Sequence, residues 1–206
     1  MRKHMYRSVF FLAGAALLAG CGAEERVEVT SEGVLGEGLQ VEAGSTSEER
    51  GVTALAYCDD VSTWTAGWVD FENQVLTLVN QRRAAGATCG GVYKPPVPAL
   101  GLDTRLRCAA RKHSKDMGLN NFFSHTGLNG STPWQRITSA GYTYSYAGEN
   151  IAAGNSTPSA VVTSWMNSTG HCNNIMSPNF KHLGVGYYYR AGSTYGHYWT
   201  QDFGAP

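Results

Sequence analysis

The chain has 206 residues, and 16 Lys and Arg against 16 Asp and Glu leave its formal net charge at zero. That balance gives no electrostatic argument for a nucleic-acid partner, and none is expected. The length allows one ordinary domain with extensions.

The amino end reads as an export segment. Arg2, Lys3 and Arg7 precede an apolar run from Val9 to Leu18, too short to span a bilayer and suited to a signal sequence. Leu18-Ala19-Gly20-Cys21 follows and resembles the bacterial lipobox. This implies a signal peptide over 1–20 and a lipidated Cys21 that anchors an extracytoplasmic protein, with ordinary cleavage and secretion as the alternative. Each buried acyl methylene adds about 0.8 kcal/mol of membrane affinity. Residues 21–56 read as a flexible acidic tether, with eight glutamates against Arg26 and Arg50 and no aromatic side chain. Such a stretch buries too little apolar surface to offset its ordering entropy. Aromatic residues begin at Tyr57, and the expected domain is 57–206, large enough for a real core.

Apolar Phe71, Val75, Leu78 and Val79 have helical spacing within 70–85, with Gly86 as the stop. Residues 90–98 read as a loop because of Pro95, Pro96 and Pro98. A second helix is expected after Asp103 as N-cap, with Leu106, Ala109, Ala110, His113 and Met117 on its buried face. Thr132-Pro133 and Thr157-Pro158 each set a capping hydroxyl before a proline, starting helices over 134–140 and 159–166. A short strand is expected over 142–147. Alternation over 183–190 and 195–203 predicts two strands joined by a hairpin loop at 191–194. Helices early and strands late suggest an α+β fold with a helix-covered antiparallel sheet.

After Cys21, four cysteines remain, Cys58, Cys89, Cys108 and Cys172, an even number that implies two disulfides in an exported chain. Of the three pairings, Cys89–Cys108 is favoured because it closes a Gly/Pro-rich loop, which leaves Cys58–Cys172 by elimination. No two cysteines have zinc-knuckle spacing. Cys172 beside His171 reads as half of a disulfide and not as a nucleophile pair.

Three short islands carry the chemistry: Phe123-Ser124-His125-Thr126, Gly148-Glu149-Asn150-Ile151 and Gly170 to Met176. His125, Glu149 and His171 are candidate ligands for a divalent metal, and Glu149 is a candidate general base. Spacing alone is weak evidence, and Glu149 equally suits a buried carboxylate in a Gly-flanked turn. His113 reads as a core histidine and Asp116 as a structural acceptor. His182 and His197 read as packing or surface residues. The Asn-x-Ser/Thr triplets at Asn129, Asn155 and Asn167 read as turn and cap residues.

These islands, with Leu76 to Arg83, His113-Ser114-Lys115-Asp116-Met117 and Trp199 to Gly204, form an ordered set that resembles the CAP superfamily, or SCP domains, in its bacterial members. The resemblance covers roughly 70–204. It implies a three-layer α-β-α sandwich with a central antiparallel sheet. It also implies a cleft with two histidines and two acids that in several members binds zinc or another divalent ion. His125 and His171 match the two histidines and Glu149 the first acid. Ser168 stands where many members carry the second acid, so any ion would be weakly held. Members of the family bind lipids, sterols or protein partners, which makes a ligand-binding module the leading expectation. A metal-assisted hydrolase acting on peptide or cell-wall material is the alternative. A purely structural polar cluster is a third reading.

Overall fold

The computed structural model describes residues 47–206, with side chains from residue 53. The export segment, Cys21 and the tether through residue 46 lie outside the described residues. The elements in chain order are α1 (Ser47–Ser62), α2 (Ala66–Ala85), β1 (Ala87–Cys89), β2 (Val92–Lys94), β3 (Gly101–Leu102) and α3 (Thr104–Asn120). There follow α4 (Pro133–Ser139), β4 (Tyr146–Ala153), α5 (Pro158–Asn167), α6 (Thr169–Ile175), β5 (His182–Tyr189) and β6 (His197–Ala205). Helix α1 runs across the boundary expected at 57.

The signals that place helix starts act as read. Asp103 accepts from the N–H groups of Arg105 and Leu106 at 2.9 and 3.3 Å, Thr157 caps α5, and Thr132 with Gln135 forms a full capping box on α4. These bonds satisfy donors that a helix start otherwise leaves unpaired. The stretch 90–98 is not wholly a loop. Val92–Lys94 pairs antiparallel with Ala87–Cys89, because Gly90 and Gly91 both take positive φ, as a tight hairpin turn requires.

The main sheet has the order β3-β5-β6-β4. β4–β6 and β5–β6 are antiparallel, while β3 pairs parallel to β5 over two residues. The sheet is therefore mixed at its β3 edge. Helices cover both faces, so β6 is buried along almost its whole length although its sequence alternates. On one face Leu183, Val185, Trp199 and Phe203 join Val75 and Val79 of α2 and Val161 and Trp165 of α5. On the other, α3 lies against Gly184 and Gly186, where an added methyl would collide with the backbone of Leu106 and Arg107 or of Ala110 and Arg111. Gly184→Ala is expected to cost about 3 kcal/mol, the upper end for overpacking, read as a lower urea midpoint. Gly192→Ala is the control for a bare loss of glycine: its Cβ meets nothing, and its positive φ accounts for any cost there.

Glu72 ties the layers at the β5 edge. It is fully buried, accepts from Arg111 at 2.6 Å and 3.0 Å, and takes the Tyr187 N–H at 3.3 Å. It thereby satisfies a strand donor beyond the reach of β3, which an open edge would leave unpaired.

The expected disulfide pairing is corrected. Cys58 joins Cys108 and Cys89 joins Cys172, with Cα separations of 5.8 and 5.5 Å, as bridge geometry demands. Cys89 packs in the α2/α5 core and Cys108 in the α1/α3 core. The sheet separates them, so a Cys89–Cys108 bridge would have to cross it. Chain proximity suggested a loop closure that the layer arrangement forbids.

Candidate functional site

The Gly148-Glu149-Asn150-Ile151 island lies inside β4, not in a turn, and the short strand expected over 142–147 gives way to one over 146–153. Few β-branched residues mark this segment. Its extended form comes from continuous pairing with β6, in which Glu149 stands opposite Asp202 and Asn150 opposite Gln201.

Glu149 is nearly buried, and both carboxylate oxygens are engaged. Oε1 accepts from His125 Nδ1 at 2.7 Å, and Oε2 accepts from Arg136 Nη2 at 2.7 Å. With the carboxylate ionised, the His125 proton sits on Nδ1 and Nε2 faces away from the pair. Arg136 also donates to the carbonyls of His125 and Ser131 at 2.9 Å each. One buried guanidinium therefore fastens the α3–α4 loop, α4 and β4 together. Burial pushes the Glu149 carboxyl up, but the hydrogen bond from His125 and the charge of Arg136 overcome it and hold the group below its usual range.

Asp202, opposite Glu149 on β6, is completely buried, with no hydrogen-bond partner on either carboxyl oxygen. Burial, then the Glu149 charge, pushes its carboxyl well above the ordinary range. Arg136 and Asp202 are site residues that sequence reading missed. A lone arginine on a short helix looks like a solvated charge, and strand alternation gave no sign that Asp202 would be covered.

His171 lies on α6, which the sequence showed only as an island. Asn150 Nδ2 donates to the His171 carbonyl at 3.2 Å, and Asn174 Nδ2 donates to Asn150 Oδ1 at 2.8 Å, so the amides lock α6 onto β4. Burial and then the His125 charge lower the His171 pKa, which makes it neutral at pH 7. The structure thus brings His125 and Glu149 into direct contact and His171 within range of the His125 charge. Among the described residues, no three His, Cys, Asp or Glu side chains are gathered so as to hold one ion.

A pocket of about 280 Å3 opens beside His171. Its floor includes Ile151 and Trp165, and Phe123, Tyr195, Ser164 and Ser168 stand around it. A larger groove of about 1510 Å3 lies by α1, lined in part by Tyr57, Arg105 and Tyr142. It holds none of the island residues, so its size does not make it the site.

His113 is a core histidine as expected. It is buried on α3, and Nε2 meets the Ser124 carbonyl at 2.8 Å. Burial first, then the Arg136 charge, lowers its pKa to about 4, against opposing contributions from Glu149 and Asp116. Its ordinary value is 6.5, so the unfolded chain takes up this proton before the native one does. Stability is full above pH 6.5 and falls as pH drops towards 4. A loss of about 2–3 kcal/mol is expected from this residue between pH 7 and 4.5. Urea midpoints at the two pH values should converge in His113→Gln. His182 and His197 take packing roles, with Nδ1 of each meeting a tyrosine hydroxyl, Tyr142 at 2.8 Å and Tyr187 at 2.7 Å.

The model of the family described as "CAP: Cysteine-rich secretory protein family" matches residues 76–203. The chain is 41% identical over 133 residues to the Bacillus subtilis protein YkwD, covering 65% of this chain and 46% of that one. It is 32% identical over 132 residues to the Bacillus subtilis membrane protein YlbC, covering 64% and 34%. It therefore spans less than half the length of either relative. Among solved structures, an extracellular SCP-domain protein from Bacillus anthracis aligns with TM-score 0.57 at 30% identity, over 70% of this chain and 45% of that one. An outer surface protein of Borrelia burgdorferi shares the fold with TM-score 0.51 at 21% identity, over 64% of this chain and 92% of that one. The island order, the layered sheet and these matches agree: the chain belongs to the CAP, or cysteine-rich secretory protein, family.

Proposed function

We propose that this is an extracytoplasmic ligand-binding module, held at a membrane through lipidated Cys21, whose cleft binds rather than transforms its ligand. The observation that carries this reading is the commitment of Glu149. Its two oxygens hold His125 and Arg136, its pKa is low and its side chain is buried, so it is a weak base turned away from an attacking water. A pocket meanwhile stands open beside His171. Export is supported by two disulfides in the domain, which persist in oxidising compartments, and by the extracellular SCP-domain protein it resembles.

The donors present suit a metal ion only in part. His125 Nε2 and the His171 imidazole could each take one position, and Glu149 would orient His125 from behind. Ser168 adds a hydroxyl where a carboxylate would bind more strongly. Zinc or another divalent ion would be weakly held, with water filling the remaining positions, and would supply a Lewis-acidic contact for a ligand. Elemental analysis should find less than one ion per chain, reduced further by His171→Ala. A stoichiometric ion that survives dialysis would overturn this part.

The binding reading is tested by NMR titration of the purified protein with a small-molecule fragment library. Amide shifts centred on His171, Ser168 and Phe123 are expected, and a library that moves none of them contradicts the reading. The anchor is tested separately, since Cys21→Ser should release the protein from the membrane fraction.

A further inference from the structure

The pocket beside His171 carries a chemical signature more specific than that of a general cleft. Its lining includes no Lys, Arg, Asp or Glu. The acid of the cleft, Glu149, is turned inward and neutralised by Arg136, and Ser168 leaves a hydroxyl on the wall. Ser168 makes no capping hydrogen bond to α6. Among the described residues, the side chains of Ser164, Ser168 and His171 make no hydrogen bond within the protein, so they are open to a ligand. Phe123 and Tyr195 stand at the mouth with rings 5.8 Å apart, tilted by 57°. Each is 45% exposed, so both rings present accessible surface beside the pocket.

Resting on the binding reading above, we infer that this pocket takes one ring of a neutral saccharide, with a sugar face against Phe123 and Tyr195 and hydroxyls on Ser164, Ser168 and His171. The chemistry selects among ligands. An anion would need a cationic wall, and an ammonium ion would need a carboxylate on the wall. An acyl chain would leave the unpaired hydroxyls and imidazole buried without partners, which is costly. A pyranose ring offers an apolar C–H face for aromatic rings and a rim of hydroxyls that donate and accept. The volume of this open pocket, about 280 Å3, lies just below the roughly 300–1,000 Å3 of most small-molecule sites. It admits a single ring, while the rest of an oligomer lies across the aromatic mouth.

The test is an NMR titration of the purified, disulfide-intact protein with cellotriose, maltotriose and tri-N-acetylchitotriose, each taken to its solubility limit. At least one is expected to give saturable shifts at His171, Ser168 and Tyr195, with affinity in the millimolar range. Phe123→Ala and Tyr195→Ala should each weaken it about tenfold, the worth of one good aromatic contact. Leu128→Ala, also exposed but outside the pocket, should leave it unchanged. All three substitutions are at exposed positions, so folding is retained and is checked by an unchanged melting temperature. No shift from any trisaccharide, or binding that survives both aromatic substitutions, overturns the inference. If library fragments or decanoate shift the same amides while the sugars do not, the saccharide assignment falls and the binding cleft stands. If nothing shifts them, both fall.

Discussion

Removing the Cys89–Cys172 bridge, as Cys89→Ala with Cys172→Ala, is expected to lower the unfolding free energy by about 4 kcal/mol. The bridge closes a segment of 83 residues, and the entropy withheld from the unfolded chain grows with that length. Both sulfurs are buried in the larger core, so lost packing adds to the cost. Urea midpoints measure the effect, and an unchanged midpoint would remove the bridge from the account of stability. The Cys58–Cys108 pair closes 50 residues and should cost a similar amount. The two differ at the site. Cys172 neighbours His171 on α6, whereas Cys58 and Cys108 lie on the far face of the sheet. Loss of the first pair alone should move the His171 ring resonances.

Glu149→Ala is expected to cost about 3–5 kcal/mol, the usual result of leaving one member of a buried ion pair without its partner. The Arg136 side chain is 5% exposed and its Nε already lacks a hydrogen bond, so it has little water to turn to. His125 also loses its acceptor. Glu149→Gln keeps an oxygen for Arg136 and should cost less. An Ala variant as stable as the parent would show that the pair does not organise the cleft. The native ion pair also implies acid sensitivity. The folded-state pKa of Glu149 lies below the ordinary value of 4.5, so its contribution is complete above that pH and is lost as pH falls through the native pKa. Asp202 has the opposite sign. Its proton is held more tightly in the folded state, so its burial costs progressively more as pH rises above the ordinary carboxyl value of 3.8.

Local signals were readable because they act over a few residues. Asp103, Thr132 and Thr157 cap the helices they precede, and period-two alternation located β5 and β6 to within a residue or two. Gly90-Gly91 was hidden behind the prolines that follow, and a three-residue strand has too little alternation to declare itself. β4 has the composition of a turn, and α6 is too short for periodicity to emerge.

The site divided along the same line. His125, Glu149 and His171 could be picked out because their motifs are contiguous and arranged in a recognisable order. Their relations could not be read. Arg136 at Glu149, Asp202 opposite it and the pairing of the cysteines all join residues that are distant in sequence or lie on different layers. The chain by itself determined its caps, its two long strands, the family it resembles and the residue types of the cleft. Only the tertiary structure decided that the Glu149 carboxylate turns inward to a guanidinium and that each disulfide stays on its own side of the sheet. Burial and partnership depend on what covers a residue, and that is set by layers assembled from remote segments.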